Sequence, residues 1–325
     1  MKNKKSFIKR LFLIFLLIIL LAALGISYFI GHQVFLGSTQ LVSNESTATV
    51  QISYWEENNF DLELFKKSYE IEKVELESSL DGHIIPADYI YAKDNKEKDR
   101  SRDIVILVHG LGGNRLTTYP FAEFFLDEGY NVIAYDQRSS GENTAKYTTF
   151  GYLESQDLRD YIKYVRNENK NNKIILWGMS FGGATVGIAL GDEEINELVD
   201  LAILDCPISN MRYMLETEME EMNTGIPLGY LLFTGNIVNQ LKLGFSYDDA
   251  DVTKYTSKTE VPVLIFNSKN DLVTPYFMGE DIYNSISHDN KKLVTVPDSE
   301  HAEIWIDYND KYKNEILDFI NTNIR

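Results

Sequence analysis

Residues Lys173 to Gly183 read Lys-Ile-Ile-Leu-Trp-Gly-Met-Ser-Phe-Gly-Gly, an apolar run entering Gly-x-Ser-x-Gly and then a small-residue stretch. The pattern predicts a strand, a turn too tight for side chains at Gly178 and Gly182, and a helix over about 181–190. Ser180 would then stand with its hydroxyl exposed at the carboxyl end of the strand. The unbroken run Ile174-Ile175-Leu176 is what a parallel strand covered on both faces requires. The same letters also occur in chemically idle glycine turns, by chance in roughly one chain of this length in ten. The surrounding chain has to decide between the two.

Strand and helix signals alternate on both sides of this turn. Strands are expected at 69–77 and 83–92 around the turn 78–82, then at 104–108, 132–135, 199–204, 261–266 and 292–296. Helices are expected near 117–128, 154–168, 276–286 and 307–320. Such alternation means an α/β fold with a mostly parallel central sheet and helices on both faces, here over residues 69–325. One block interrupts it. Residues 208–256 hold two amphipathic helical stretches and no strand, too long for a crossover, and are expected to form a helical cap insertion over the strand ends.

Ahead of this domain, residues 11–30 are twenty positions without a charge, rich in Leu, Ile and Phe. As a helix they span about 30 Å, the thickness of a bilayer core. Tyr28-Phe29-Ile30-Gly31-His32-Gln33 makes a poor signal-cleavage site, so a transmembrane signal anchor is expected rather than a cleaved signal. Lys2, Lys4, Lys5, Lys9 and Arg10 form a basic N-terminus over residues 1–10, which would hold that end in the cytoplasm and place the domain outside. Residues 31–68 read as a polar connector. The chain as a whole carries a net charge of −18, which repels nucleic acid. Its single cysteine, Cys206, excludes an internal disulfide and reads as a packed thiol at a strand end.

A serine hydroxyl needs a base, because it is a poor nucleophile near neutral pH. Of the five histidines, only His301 follows the final expected strand, in a loop that would deliver an imidazole to the strand ends. The third group is a carboxylate that fixes the imidazole tautomer and stabilises the imidazolium. Asp271, just past the strand 261–266, is the candidate, with Asp205 at the end of the preceding strand as its rival. The chain order Ser180, Asp271, His301 is one in which such groups recur. Two N–H donors are needed for an oxyanion; the amides of Phe181 and Leu111 are the candidates. Leu111 lies in His109-Gly110-Leu111-Gly112-Gly113, where glycines allow close backbone approach and His109 would brace the loop by hydrogen bonding. That loop lacks the Lys-Ser/Thr of a phosphate-binding loop and the dinucleotide fingerprint, and no metal-ligand spacing occurs. No cofactor and no metal are expected.

Four motifs in order carry a resemblance: Val108 to Asn114, Tyr135-Asp136-Gln137-Arg138-Ser139-Ser140-Gly141, Gly178 to Gly182, and Asn270 to Pro275 with Ser299-Glu300-His301-Ala302. Over roughly residues 69–325 the chain resembles the α/β-hydrolase superfamily, and is most similar to membrane-anchored bacterial hydrolases of the serine aminopeptidase-like and dienelactone-hydrolase-like branches. It departs from the usual Asp-x-Arg-Gly-x-Gly loop at Ser139, and Asp298-Ser299-Glu300 replaces the small residues that commonly precede the histidine. Asp136 and Arg138 read as a pair that holds their loop. The resemblance implies an extracytoplasmic serine hydrolase acting on a small-molecule ester or thioester through an acyl-enzyme. A peptidase of short peptides, an acyltransferase, or a non-catalytic surface binding protein on the same fold are its alternatives. The methionines of the cap, among them Met211, Met214, Met219 and Met222, suit varied apolar groups or simply pack the cap.

Overall fold

The computed structural model describes residues 2–40, 44–93 and 98–324; Met1 of the basic terminus and residues 41–43 of the expected connector lie outside the described residues. Eight strands form one sheet: β1 (Ile71–Glu77), β2 (Ile84–Ile90), β3 (Ile104–Val108), β4 (Asn131–Tyr135), β5 (Ile174–Met179), β6 (Leu201–Asp205), β7 (Val263–Ser268) and β8 (Lys291–Val296). Their order is β1-β2-β4-β3-β5-β6-β7-β8. The pairs β1–β2 and β2–β4 are antiparallel and the rest are parallel. Strands β3 to β7 are buried along their whole length, which is why they read as continuous apolar runs rather than alternating ones.

Register brings the chemistry to one edge. Val108 pairs with Gly178, Met179 with Asp205, and Asp205 with Phe266. The carboxyl ends of β3, β5, β6 and β7 are thus level, and the loops that follow them start side by side. In an open parallel sheet this is where ligands bind.

The helices are α1 (Lys2–Thr39), α2 (Asn44–Glu57), α3 (Leu62–Ser68), α4 (Tyr119–Asp127), α5 (Glu154–Glu168), α6 (Phe181–Ala189), α7 (Glu193–Leu198), α8 (Met211–Glu221), α9 (Leu228–Leu243), α10 (Thr253–Thr256), α11 (Phe277–Ser285), α12 (Ile304–Asp307) and α13 (Asn309–Asn323). A 3-10 turn over Arg115–Thr118 leads into α4.

The chain divides into two compact units, one of α1 with Arg212–Asp249 and one of the remainder, which contains the whole sheet. In the sheet unit the aromatic core centres on Phe121, whose ring lies 4.2 Å from that of Trp177, 4.9 Å from Trp305 and 5.6 Å from Trp55. Phe266 stacks on Tyr312 at 4.1 Å.

The segment 31–68, read as a polar connector, is largely helical. Its first residues continue α1, and Trp55, Phe60, Leu62 and Phe65 are buried in the core of the sheet unit. The polar stretch before residue 47 masked this, because four apolar anchors spread over short helices leave little periodicity. Residues 208–256 carry helices, a 3-10 turn and a single bridge, Asn210 to Asp251, in place of strands.

Candidate active site

Tight backbone packing builds the turn at Ser180. A Cβ on Gly178 would lie 2.4 Å from the Gly182 carbonyl oxygen, and one on Gly182 only 2.1 Å from that of Val108. Neither position can hold a side chain without moving main chain. Ser180 itself takes φ 55 and ψ −115, a conformation that costs energy for any residue with a Cβ. Its amide is held by the Asp205 carbonyl at 2.7 Å. The strained turn directs Oγ away from the sheet, as the spacing of the glycines requires.

The three sequence candidates meet. His301 Nε2 is 3.0 Å from Ser180 Oγ, and His301 Nδ1 is 2.8 Å from Asp271 Oδ2. A proton on Nδ1 donated to the carboxylate leaves Nε2 free to accept from the serine hydroxyl. Burial by itself would raise the Asp271 carboxyl, but His301 and the amide and hydroxyl of Thr274 outweigh it and hold the group below the usual carboxylate range. Asp271 Oδ1 accepts from the amides of Val273 and Thr274 at 2.9 and 2.8 Å, while the Thr274 hydroxyl donates to Oδ2 at 2.8 Å. Sequence reasoning gave Thr274 no role; an aspartate followed three residues later by threonine was the available signal.

Asp205 is placed differently. It is buried, accepts a hydrogen bond from the Tyr312 hydroxyl at 2.9 Å, and through Tyr312 is tied to the Trp177 indole N–H. Burial pushes its carboxyl up to about 7. Asp271, and not Asp205, holds the imidazole.

Ligand atoms of Cys206, Asp271 and His301 lie within 4.8 Å of one another. Burial raises the Cys206 thiol, which disfavours the thiolate a metal would need, and the other two are already hydrogen-bonded together. The cluster suits proton transfer better than metal binding.

Phe181 opens α6 directly after Ser180, so its amide is one of the helix's orphan N–H groups. Leu111 lines the cavity above Ser180. The loop carrying Leu111 is braced as a unit. His109 Nδ1 donates to the Gly110 carbonyl at 2.7 Å, and its Nε2 accepts from the Gln137 amide at 3.0 Å. Burial keeps the His109 imidazole below its ordinary range, consistent with a neutral ring. The Gln137 side chain donates to the His109 carbonyl at 2.6 Å and accepts from Thr185 of α6 at 2.6 Å, linking the two loops that flank Ser180.

Asp136 and Arg138 do not pair with each other, contrary to the sequence reading. Asp136 binds Arg115 and the Glu142 amide, whereas Arg138 reaches Asp81 and the buried Asp157. Each buried charge takes the partner within its reach: the short aspartate is met by the 3-10 turn, and the long guanidinium extends to α5 and the β1–β2 turn.

Above Ser180 and His301 lies a cavity of about 320 Å³, lined by Val50, Gln51, Tyr54, Trp55, Leu111 and Met179 among others. Helix α2, from the supposed connector, forms its wall. Thr47 Oγ1 donates to the Gly112 carbonyl at 2.5 Å, and the Tyr54 hydroxyl donates to Glu303, two residues past His301, at 2.7 Å.

The chain matches the alpha/beta hydrolase fold family over residues 103–235. It is 27% identical over 221 residues to the Bacillus subtilis protein YqkD, covering 66% of this chain and 70% of that one. It is 26% identical over 279 residues to a proline iminopeptidase of Saccharolobus solfataricus, covering 71% of this chain and 88% of the other. Among solved structures, the Pyrococcus furiosus esterase Pf2001 superposes with a TM-score of 0.62 at 22% identity, over 82% of this chain and 97% of the esterase, a likeness of fold. Topology, family match over residues 103–235 and relatives agree, and the chain has the α/β-hydrolase fold.

Proposed function

We propose that this hydrolase is a serine carboxylic ester or thioester hydrolase, with Ser180 as nucleophile, His301 as base and Asp271 as the orienting acid. The observation that carries the reading is the unbroken chain of short contacts from Asp271 Oδ2 through His301 to Ser180 Oγ, beneath a cavity. Ser180 Oγ attacks the acyl carbon while His301 Nε2 takes the hydroxyl proton. The charge that develops on the carbonyl oxygen is met by the amides of Phe181 and Leu111. His301 then gives its proton to the leaving alcohol or thiol, and water, deprotonated in turn by His301, releases the acid from Ser180. The carbon-rich lining contributed by Val50, Trp55, Leu111 and Met179 favours an apolar acyl or aryl group. The uncharged run at residues 11–30, on a helix whose apolar window is fully exposed, supports a membrane anchor, and the cations Lys2, Lys4, Lys5, Lys9 and Arg10 ahead of it favour a catalytic domain outside the cytoplasm.

A peptidase of short peptides is the second reading. Glu303 stands in the cavity wall beside His301, where its carboxylate suits the ammonium group of a free N-terminus. The proline iminopeptidase relative is in keeping with it.

Fluorophosphonate labelling of the full chain tests the nucleophile. Wild type should label and Ser180→Ala should not; a folded wild-type protein that fails to label would overturn the reading. p-Nitrophenyl esters of increasing chain length, set against aminoacyl anilides, separate the two substrate classes.

A further inference from the structure

Helix α1 is 38 residues long, far more than a bilayer core needs. From Leu11 to Leu24 its large side chains are exposed, whereas Gly31, Phe35, Ser38 and Thr39 are buried. The buried part packs on α9. Ser27 Oγ and the Tyr230 hydroxyl are 2.6 Å apart. A Cβ on Gly31 would lie 2.3 Å from the Thr234 carbonyl oxygen, and one on Gly235 would lie 2.4 Å from Val34 Cγ1. Pairing residue 27 with 230, 31 with 234 and 34 with 235 makes the helices parallel, at a separation only small residues permit.

This register sets the depth of α9. With residues 11–30 across the bilayer, Ser27 lies about 5 Å inside the outer boundary, and Tyr230 lies level with it. The turn from α8 into α9 reaches the same depth or further. It is suited to be there, since no charge occurs from Met222 to Leu241. On the outer side of α9, Tyr230, Phe233, Ile237 and Leu241 form an exposed apolar stripe, with Phe233 63% and Leu241 74% exposed. A cavity of about 300 Å³ bounded by α1, α8 and α9 is walled mainly by apolar side chains, among them Phe29, Ile30, Leu215, Met219 and Met222, with Glu218 also in its lining. Such walls hold an acyl chain better than water. Charges bracket the segment: Glu218, Glu220 and Glu221 precede it and Lys242 follows it. The acids limit penetration to the boundary of the acyl region and disfavour anionic headgroups.

We propose that the α8–α9 hairpin is an interfacial membrane element, its tip and the lower half of α9 immersed beside α1 in the outer leaflet of a zwitterionic bilayer. This rests on α1 being the anchor. The hairpin would then keep this part of the enzyme at the lipid surface, where apolar esters concentrate.

The test uses full-length protein in phosphatidylcholine nanodiscs, spin-labelled at Phe233→Cys, Leu241→Cys or, as a water-exposed control, Leu272→Cys. Accessibility to oxygen is compared with accessibility to a nickel chelate. The label at 233 should favour oxygen several-fold over the control, and the label at 241, about 12 Å further along the helix, should fall between. Equal, water-like values at 233 and 272 in protein that resists carbonate extraction would overturn the proposal and leave the anchor standing. Extraction by carbonate would overturn the anchor reading and the proposal with it.

Discussion

Thr274 donates its hydroxyl to Asp271 Oδ2, the same oxygen that faces His301 Nδ1. One threonine thereby helps to fix both the charge and the direction of the carboxylate. Thr274→Val should keep the fold and lose that bond, worth about 1.5 kcal/mol to an ionised acceptor, or roughly tenfold in kcat with little change in KM. Steady-state kinetics on a p-nitrophenyl ester reads it; a change confined to KM would show that the threonine does not act through the acid.

Asp271 and Asp205 make opposite predictions. Asp271→Asn should cost on the order of 10⁴ in kcat, because the amide favours the wrong imidazole tautomer. Asp205→Asn should leave kcat within a few-fold. It should also make the protein relatively more stable than wild type above pH 7. The folded Asp205 carboxyl, pushed up to about 7, binds its proton more tightly than the unfolded one, so its contribution is lost as pH rises through that value. Urea midpoints of both proteins at pH 5 and pH 8 check the sign.

His83 gives a second pH signature. Burial alone would lower its imidazole, but the adjacent carboxylates of Asp157 and Asp81 raise it above the ordinary histidine value. Its stabilisation is therefore fully present below the unfolded histidine value and disappears as pH rises through the folded one. His83→Gln should flatten the loss of stability as pH rises above the ordinary histidine range. An unchanged pH slope in the variant would place the titrating group elsewhere.

Ser139 occupies φ 57, in the left-handed region that glycine favours. The strain costs about 1 kcal/mol. Ser139→Gly should raise stability by up to about that amount, offset in part by the greater freedom of the unfolded chain. Thermal denaturation would show a rise of a few degrees; a fall would mean the serine side chain contributes more than its backbone loses.

Helix α2 holds the loop that carries Leu111, the proposed oxyanion donor, through the Thr47 hydroxyl on the Gly112 carbonyl. Thr47→Val should remove about 1 kcal/mol of that restraint and lower kcat roughly fivefold while fluorophosphonate labelling persists. Unaltered kinetics would show that the loop is rigid without it.

Much of this was legible in residues 173–183 and their neighbours. Strands buried on both faces must be apolar throughout, so β3 to β7 announced themselves, and two glycines around one serine left room for only one kind of turn. The order of Ser180, Asp271 and His301 along the chain was readable for the same reason: each follows a strand whose end is fixed by burial. Three matters needed tertiary structure. Asp205 and Asp271 look alike in sequence, and only the sheet's register and the loop after β7 put Asp271 against the imidazole while burying Asp205 under Tyr312. Asp136 and Arg138 are near neighbours in sequence, yet side-chain length and packing sent each to another partner. The segment 44–57 carries few apolar residues, but the fold gives Trp55 a place in the core and sets Val50, Gln51 and Tyr54 over Ser180. Local pattern records what a residue must be buried in or exposed to; which distant residue it meets is decided by packing.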